Sequence, residues 1–313
     1  MKKLIFIGIA LFSIHVFSQR VSTLSGTVNA NIYTANNGYN NGLGNQSTFL
    51  FPQSIATDSK GNCYVIDDFP VIRKVDATGF TSPFSGVAIL QGISYMREYV
   101  DGANPRYQNL TAIATDANDN VYVIDNNRIR KITPLGVAST ILATQTDLRD
   151  ASGLVVAANG DIYVANTGRR NILKVTQSGQ VSIFATGFGQ PKDLCFDAQG
   201  NLYVTDVSSV KKITPNGVVS NHATGFGDAN GIEIDSLGNL FVCDSLFHLI
   251  KRIDTNQFVS NYAGSSQGFQ DSSTLFFWRL PRFSTPQGLA IDKFGNLYVP
   301  DRNNNRIRLI AKN

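Results

Sequence analysis

Glutamate is almost missing from this chain: of 23 acidic residues among 313, 21 are Asp, and the two Glu are Glu98 and Glu233. A long helical protein uses Glu freely, because Glu suits helix interiors whereas Asp suits turns and caps. A mainly helical architecture is therefore excluded. Cysteine is scarce and odd in number, with Cys63, Cys195 and Cys243 and no paired C-x-x-C spacing. That excludes a disulfide framework or a zinc knuckle and leaves buried free thiols as the expectation. Of the three His, only His222 and His248 lie beyond the N-terminal residues 1–18, too few for a His-based catalytic zinc centre, which commonly takes three protein ligands. No basic block accompanies the net charge of +4, so charge gives no case for nucleic acid. Gly and Pro, at 27 and 10, are too few and too scattered for a collagen-like or disordered polymer.

Long apolar runs are absent too, with one exception at the start. Lys2 and Lys3 precede the apolar stretch Leu4 to Ile14, and Val16 and Ser18 fit the small-residue positions before a cut. This is the layout of a cleavable signal peptide over residues 1–18, too short to span a bilayer. The expectation is a secreted or periplasmic protein, not inserted in a membrane, acting as a monomer, with residues 19–313 forming one domain. Removal of the two Lys reduces the formal charge from +4 to +2.

What fills that domain is a repeat. One phrase recurs six times, from Asp58 to Asp67, Asp116 to Asp125, Ala157 to Asn166, Asp197 to Asp206, Asp235 to Asp244 and Asp292 to Asp301. Its aromatic position is held by Tyr64, Tyr122, Tyr163, Tyr203, Phe241 and Tyr298, spaced by 58, 41, 40, 38 and 57 residues. The opening Asp-x-x-Gly suits a type I turn with a left-handed Gly that reverses two strands. A short apolar strand precedes the turn, and Leu-Tyr-Val follows it. A third strand such as Arg128–Thr133 and a fourth such as Val181–Phe184 complete the unit. Four short antiparallel strands per forty residues make a β-propeller blade, so the fold class is all-β, a six-bladed propeller.

Ring closure is also readable. The sixth unit ends on its third strand, Arg306–Ile310, while Val21–Gly26 has the pattern of a fourth strand. The N-terminal strand is expected to complete the C-terminal blade, leaving no open edge.

Pro286-Gln-Gly-Leu-Ala-Ile-Asp292, Gly295-Asn-Leu-Tyr-Val-Pro-Asp301 and Asn305-Arg-Ile-Arg308 resemble the repeat of the NHL-repeat propellers. WD-repeat propellers fit less well, since the one Trp is Trp278 and no Gly-His to Trp-Asp pairing recurs. The NHL resemblance, which spans nearly all of residues 20–313, implies the six-bladed fold. It leaves function open, because such propellers include enzymes, sensors and binding platforms. The His-based zinc site of the amidating lyases that resemble this fold cannot be assembled, and no nucleophile elbow or phosphate loop is present.

Candidate sites follow from what departs from the repeat. The aromatic column reads as blade-to-blade packing, the closing Asp column as acceptors for backbone N–H groups of the second turn. His222 takes the place of Phe184 and Tyr262 and reads as core. Ligands of propellers meet the face where inner strands begin, here Gln53-Ser54, Thr111-Ala112, Ser152-Gly153, Lys192-Asp193, Asn230-Gly231 and Gln287-Gly288. Resemblance to gluconolactonase-like propellers implies one divalent cation, calcium or magnesium, with Asn230 at their Asn-Gly position and Asp193 as a neighbouring carboxylate; Glu233 joins them as a metal candidate on the ground of its own column. The early Glu of that group has no match, Gln53 standing in its place. Glu233 is the anomaly of its own column, filled elsewhere by Ala56, Ala114, Val155, Cys195 and Ala290. A carboxylate there must be hydrogen-bonded, paired or metal-bound, and Lys192 or Asn230 are its expected partners if its role is structural.

Three linkers into inner strands are long, residues 27–51, 87–109 and 265–285, and precede neighbouring blades. One half of that face should be walled, a layout that suits a binding cleft. Tyr39, Tyr99 and Phe269 recur in these loops and are expected to pack locally. Phe276, Phe277, Trp278 and Arg279 have no counterpart and make a contact patch for a sugar or protein. Lys192, Gln53 and Gln287 are further ligand-contact candidates. The repeating Arg and Lys of the third strands read as solvated outer positions, not as a nucleic-acid surface. The resulting expectation is an exported binding or interaction module for a protein, peptide or carbohydrate. The alternative is a metal-dependent lactonase- or lyase-like enzyme at the channel.

Overall fold

The computed structural model describes residues 19–27, 39–87, 99–143, 147–272 and 280–312. The leader expected at residues 1–18 and the patch Phe276, Phe277, Trp278 and Arg279 lie outside the described residues. The described chain forms six sheets of antiparallel strands, each four-stranded except the first, which carries a fifth. Blade 1 comprises Ser54–Thr57, Cys63–Ile66, Ile72–Val75 and Phe80–Ser85, with the short strand Gly42–Leu43 added outside. Blade 6 comprises Ala290–Ile291, Leu297–Asp301, Arg306–Ile310 and, at its outer edge, Val21–Ser25. Val21 lies opposite Ile310 and Ser25 opposite Ile307, so the N-terminal strand closes the ring as the repeat pattern predicts.

Turn chemistry explains why these short segments become strands. In blade 1 the Asp58 carboxylate accepts the backbone N–H groups of Lys60 and Asn62 at 2.9 and 2.8 Å, and Gly61 takes a φ of +82°. Gly reaches that left-handed conformation without steric cost. Tyr64 then donates its hydroxyl to the same Asp at 3.2 Å, as do Tyr122 to Asp116, Tyr203 to Asp197 and Tyr298 to Asp292. Each aromatic thus locks its own hairpin while its ring fills the space between blades.

The core is six clusters of buried residues, one at each blade-to-blade interface, including the closing interface of blades 6 and 1 around Phe49, Ile55, Tyr298 and Ile307. His222 packs edge-on to Tyr203 with ring centroids 4.8 Å apart, the role Phe184 plays against Tyr163. All three cysteines are free and buried.

The basic residues of the third strands correct an expectation. Arg73, Arg130 and Arg308 are 0% exposed, not solvated. Each lies against the closing Asp of its own blade, at 3.7 Å from Asp67, 3.1 Å from Asp125 and 2.7 Å from Asp301. Each also grips the long loop that enters its blade. Arg130 donates to the Val100 carbonyl and Asp101 carboxylate at 2.7 Å each, and Arg308 to the Gln270 carbonyl at 2.8 Å and Asp271 at 2.7 Å. Arg73 does the same with the Asn40 carbonyl and the Asn41 side chain. The loop aromatics stack on these strands: Tyr39 on Arg73, Tyr99 on Arg128, Phe269 on Arg306 and Arg308. In blades 4 and 5, whose entering loops are short, Lys211 and Lys251 take over and donate to the carbonyls of Gly187 and Gly225. Arg reaches several acceptors with a planar fork and Lys offers a compact point charge, so the choice tracks loop length.

The closing Asp side chains also differ from expectation in what they hold. Asp125, Asp206 and Asp244 accept backbone N–H groups of the loop entering the blade, from Gln108 and Asn109, Gly189 and Gln190, and Gly227 and Asp228. The second turn itself is bonded by Asp67 to Phe69 and, at 3.4 Å, by Asp244 to Phe247.

Candidate functional site

The inner strands surround an axial channel, and their side chains bond from blade to blade. Thr57 donates to the Ile291 carbonyl at 2.8 Å, Thr115 to Thr57 at 2.7 Å, Thr111 to Ala151 at 2.9 Å and Ser152 to Lys192 at 2.8 Å. Glycine permits close approach where a side chain would not fit: a Cβ on Gly231 would stand 2.5 Å from the Gln287 carbonyl oxygen, to which its N–H donates at 2.6 Å.

At the end where inner strands begin, the channel opens into a cavity of about 430 Å3. Every blade contributes to its lining: Gln53 and Ser54, Asn109 and Thr111, Ser152 and Thr167, Lys192 and Asp193, Asn230, and Gln287. The candidates Gln53, Lys192 and Gln287 are therefore brought together by the fold. One ion pair sits among them. Lys192 pairs with Asp228, and the Asn230 amide donates to the Asp228 carboxylate at 2.9 Å and to the Ser245 hydroxyl at 2.7 Å. These bonds hold Lys192 and Asn230 to a loop residue absent from the sequence-based reading.

Glu233 has neither as a partner, which corrects the expected pairing with Lys192 or Asn230. It lies opposite Phe241, in the column read from the repeat, and lines a second cavity of about 740 Å3 toward the end of the channel where the inner strands finish. Asp193 lines both spaces. Its Oδ2 accepts the Ile232 N–H of the next blade at 3.1 Å, as Ser54 accepts that of Ile113 at 3.2 Å. Burial drives both carboxyls upward, Asp193 to about 7 and Glu233 to about 8, the latter pushed further by the Asp193 charge. Burial raises the thiols of Cys195 and Cys243, the first further through Glu233 and Asp193 and the second through Asp193 and Asp244. Among the described residues no group of three or more His, Cys, Asp and Glu side chains is gathered to hold a metal ion. Of the three metal candidates, Asn230 belongs to the mouth, Glu233 to the second cavity and Asp193 to both.

No family model matches the chain. Among curated proteins it is similar to Teneurin-3 of Danio rerio, 26% identical over an alignment of 220 residues, with 54% of this chain and 8% of that much longer protein covered. Among solved structures it is similar to an auxiliary nutrient binding protein from Bacteroides ovatus, with a TM-score of 0.71 and 14% identity over 94% of this chain and 76% of the other. It is also similar to a gluconolactonase from Xanthomonas campestris, with a TM-score of 0.65 and 13% identity over 97% of this chain and 93% of the other. At such identities the likeness is one of fold. No helix among the described residues is long and apolar enough to cross a membrane.

Proposed function

We propose that this propeller is an exported binding module that holds a small, uncharged polar ligand, or the polar tip of a peptide or glycan, at the mouth of its channel. The observation that carries this reading is the convergence of amide and hydroxyl side chains from five blades, joined by Lys192 and Asp193 of blade 4, on one cavity of about 430 Å3. Neutral donors and acceptors on a rigid ring suit ligands rich in hydroxyl and amide groups, and sites of this volume hold small molecules. The Lys192–Asp228 pair gives the rim direction, and Asp193 adds a carboxylate to the same lining. The fold likeness to a nutrient binding protein supports the same reading.

The test is a thermal-shift and calorimetric screen of the purified chain against mono- and disaccharides and dipeptides. Binding is expected to fall at least about tenfold in Gln287→Ala and in Asn230→Ala, the loss of one or two buried hydrogen bonds. A ligand bound equally by both variants sinks the reading. So does a stoichiometric calcium or magnesium ion lost in Glu233→Gln and Asn230→Ala together, which would favour lactonase-like metal chemistry.

A further inference from the structure

Blade 3 breaks the pattern by which the long loops are seated. In blades 1, 2 and 6 the entering loop rests on one place, built from the third-strand Arg, the outer-strand residue opposite it and a residue near the start of the outer strand. Asp101 accepts from Arg130 at 2.7 Å and from the N–H of Thr140 opposite at 3.0 Å, and Asp271 accepts from Arg308 at 2.7 Å and from the hydroxyl of Thr23 opposite at 3.1 Å. Asn41 accepts from Arg73 at 3.0 Å. The next loop residue then bonds to the outer strand through its backbone: Gly42 pairs with Thr81, Gly102 exchanges bonds with Ala138, and Ser272 donates to the Val21 carbonyl. In blade 6 the residue before the loop aromatic is held as well, the Asn304 amide donating to the Gly268 carbonyl at 2.8 Å.

The corresponding place in blade 3 is apolar. Leu173 stands where the other blades have Arg or Lys, Ile183 lies opposite it, and Val181 holds the outer-strand position. The closing residue changes in step to Asn166, whose amide donates to the Asp147 carbonyl and to Asn171, so no carboxylate there asks for a cation. A cavity of about 310 Å3 is lined by Leu173, Val181 and Ile183 together with Arg169. Arg169 ends the same short helical turn that Asn304 ends in blade 6. Ile183 is 62% exposed, whereas blades 4 and 5 place Asn221 and Asn261 at its position. Among the described residues no strand pairs with the outer edge of Val181–Thr186.

We infer that blade 3 seats an extended segment of a partner protein, lying where the chain's own loops lie on blades 1, 2 and 6. The segment places an aliphatic side chain between Leu173 and Ile183, a small residue after it on Val181, and an acidic residue toward Arg169. Its occupant is polypeptide because the molecule makes this interface three times with its own loops. The side chain is aliphatic because a carboxylate held against Leu173 and Ile183 would lose water and gain no cation. An open strand edge accepts an added strand, sockets for single side chains supply selectivity, and a rim charge of opposite sign fixes register. None of this rests on the reading of the mouth.

The probes are two fluorescein-labelled heptapeptides, measured by fluorescence anisotropy on the intact chain. One copies residues 98–104, Glu-Tyr-Val-Asp-Gly-Ala-Asn, and the other carries Leu in place of Asp. The Leu peptide is expected to bind at least about tenfold more tightly than its parent. Ile183→Asn, which installs the residue of blades 4 and 5 at an exposed position and should leave the melting temperature unchanged, is expected to remove at least about fivefold of that affinity. Arg169→Asp is expected to weaken it at least about threefold. Val218→Asn, a change at an equally exposed apolar residue of blade 4, is expected to leave it intact. Equal binding of the two peptides, no binding of either up to about 1 mM, or undiminished binding in Ile183→Asn or Arg169→Asp would each overturn the inference. So would an equal loss in Val218→Asn, which would mark general apolar adhesion. Self-association in analytical ultracentrifugation that Ile183→Asn abolishes would overturn it too, by making this face an interface between copies of the chain.

Discussion

Glu233 is a single residue whose environment reverses the usual link between acidity and stability. Its carboxyl and that of Asp193 have folded-state values raised by burial, to about 8 and about 7. The folded chain therefore holds more protons than the unfolded one between the ordinary carboxylate range and these values, and stability falls as pH rises through that window. Asp67, which burial raises to about 7, contributes in the same direction. The melting temperature is expected to fall from about pH 5 to pH 8.5. In Glu233→Gln the fall should be shallower, with melting about 2 to 4 °C higher at the alkaline end. Parallel pH profiles of the two proteins would exclude this account. Glu233 was legible in the sequence because five other blades place an apolar or thiol side chain in its column. That Lys192 and Asn230 are not its partners was not legible, because Asp228, which captures both, sits in a loop with no strong repeat signature.

Among the elements, the third strands carry the most consequential surprise. A charged side chain in an isolated sequence defaults to solvent, and Arg73, Arg130 and Arg308 were read that way. What overrides the default is a set of acceptors supplied from elsewhere: the closing Asp, two loop carbonyls and an Asn or Asp side chain. The loop phrases Tyr39-Asn-Asn41, Tyr99-Val-Asp101 and Phe269-Gln-Asp271 hold those acceptors. Their recurrence was visible in the sequence, but the link to arginines some 30 residues away needed the fold. Removing one partner of a buried pair strands the other, so Arg130→Met is expected to cost about 3 to 5 kcal/mol in denaturant unfolding. It should also expose residues 99–109 to limited proteolysis. Arg130→Lys is expected to restore part of the stability but not the protection, because one ammonium cannot reach all four acceptors. Equal protease resistance of Arg130→Met and the parent chain would contradict this role. The six blades and their hairpins, by contrast, were legible, since each rests on local turn chemistry that recurs with few departures, although the added edge strand Gly42–Leu43 lies outside that repeat.

For the whole molecule, closure decides cooperativity. Six interface clusters form a ring, and the one between blades 6 and 1 depends on strands drawn from both ends of the described chain. Deleting residues 20–26 removes the outer strand of blade 6 and exposes the edge of Arg306–Ile310. The melting temperature is expected to drop by roughly 10 °C or more, with aggregation through the bared edge. An unchanged melting curve would mean that the ring is held without that strand.

The same closing strand sets how the ring responds to a pull. Val21 faces Ile310, so the chain segments leaving the seam before Val21 and after Ile310 depart from one end of an antiparallel ladder. Tension between them loads the first rung alone, then the next, and the ladder peels instead of shearing as a block. A ring that resists heat through its closed circle of cores is in this sense soft along one axis. Tethered on one side only, it feels no load at the seam; stretched between two anchors, it opens there first.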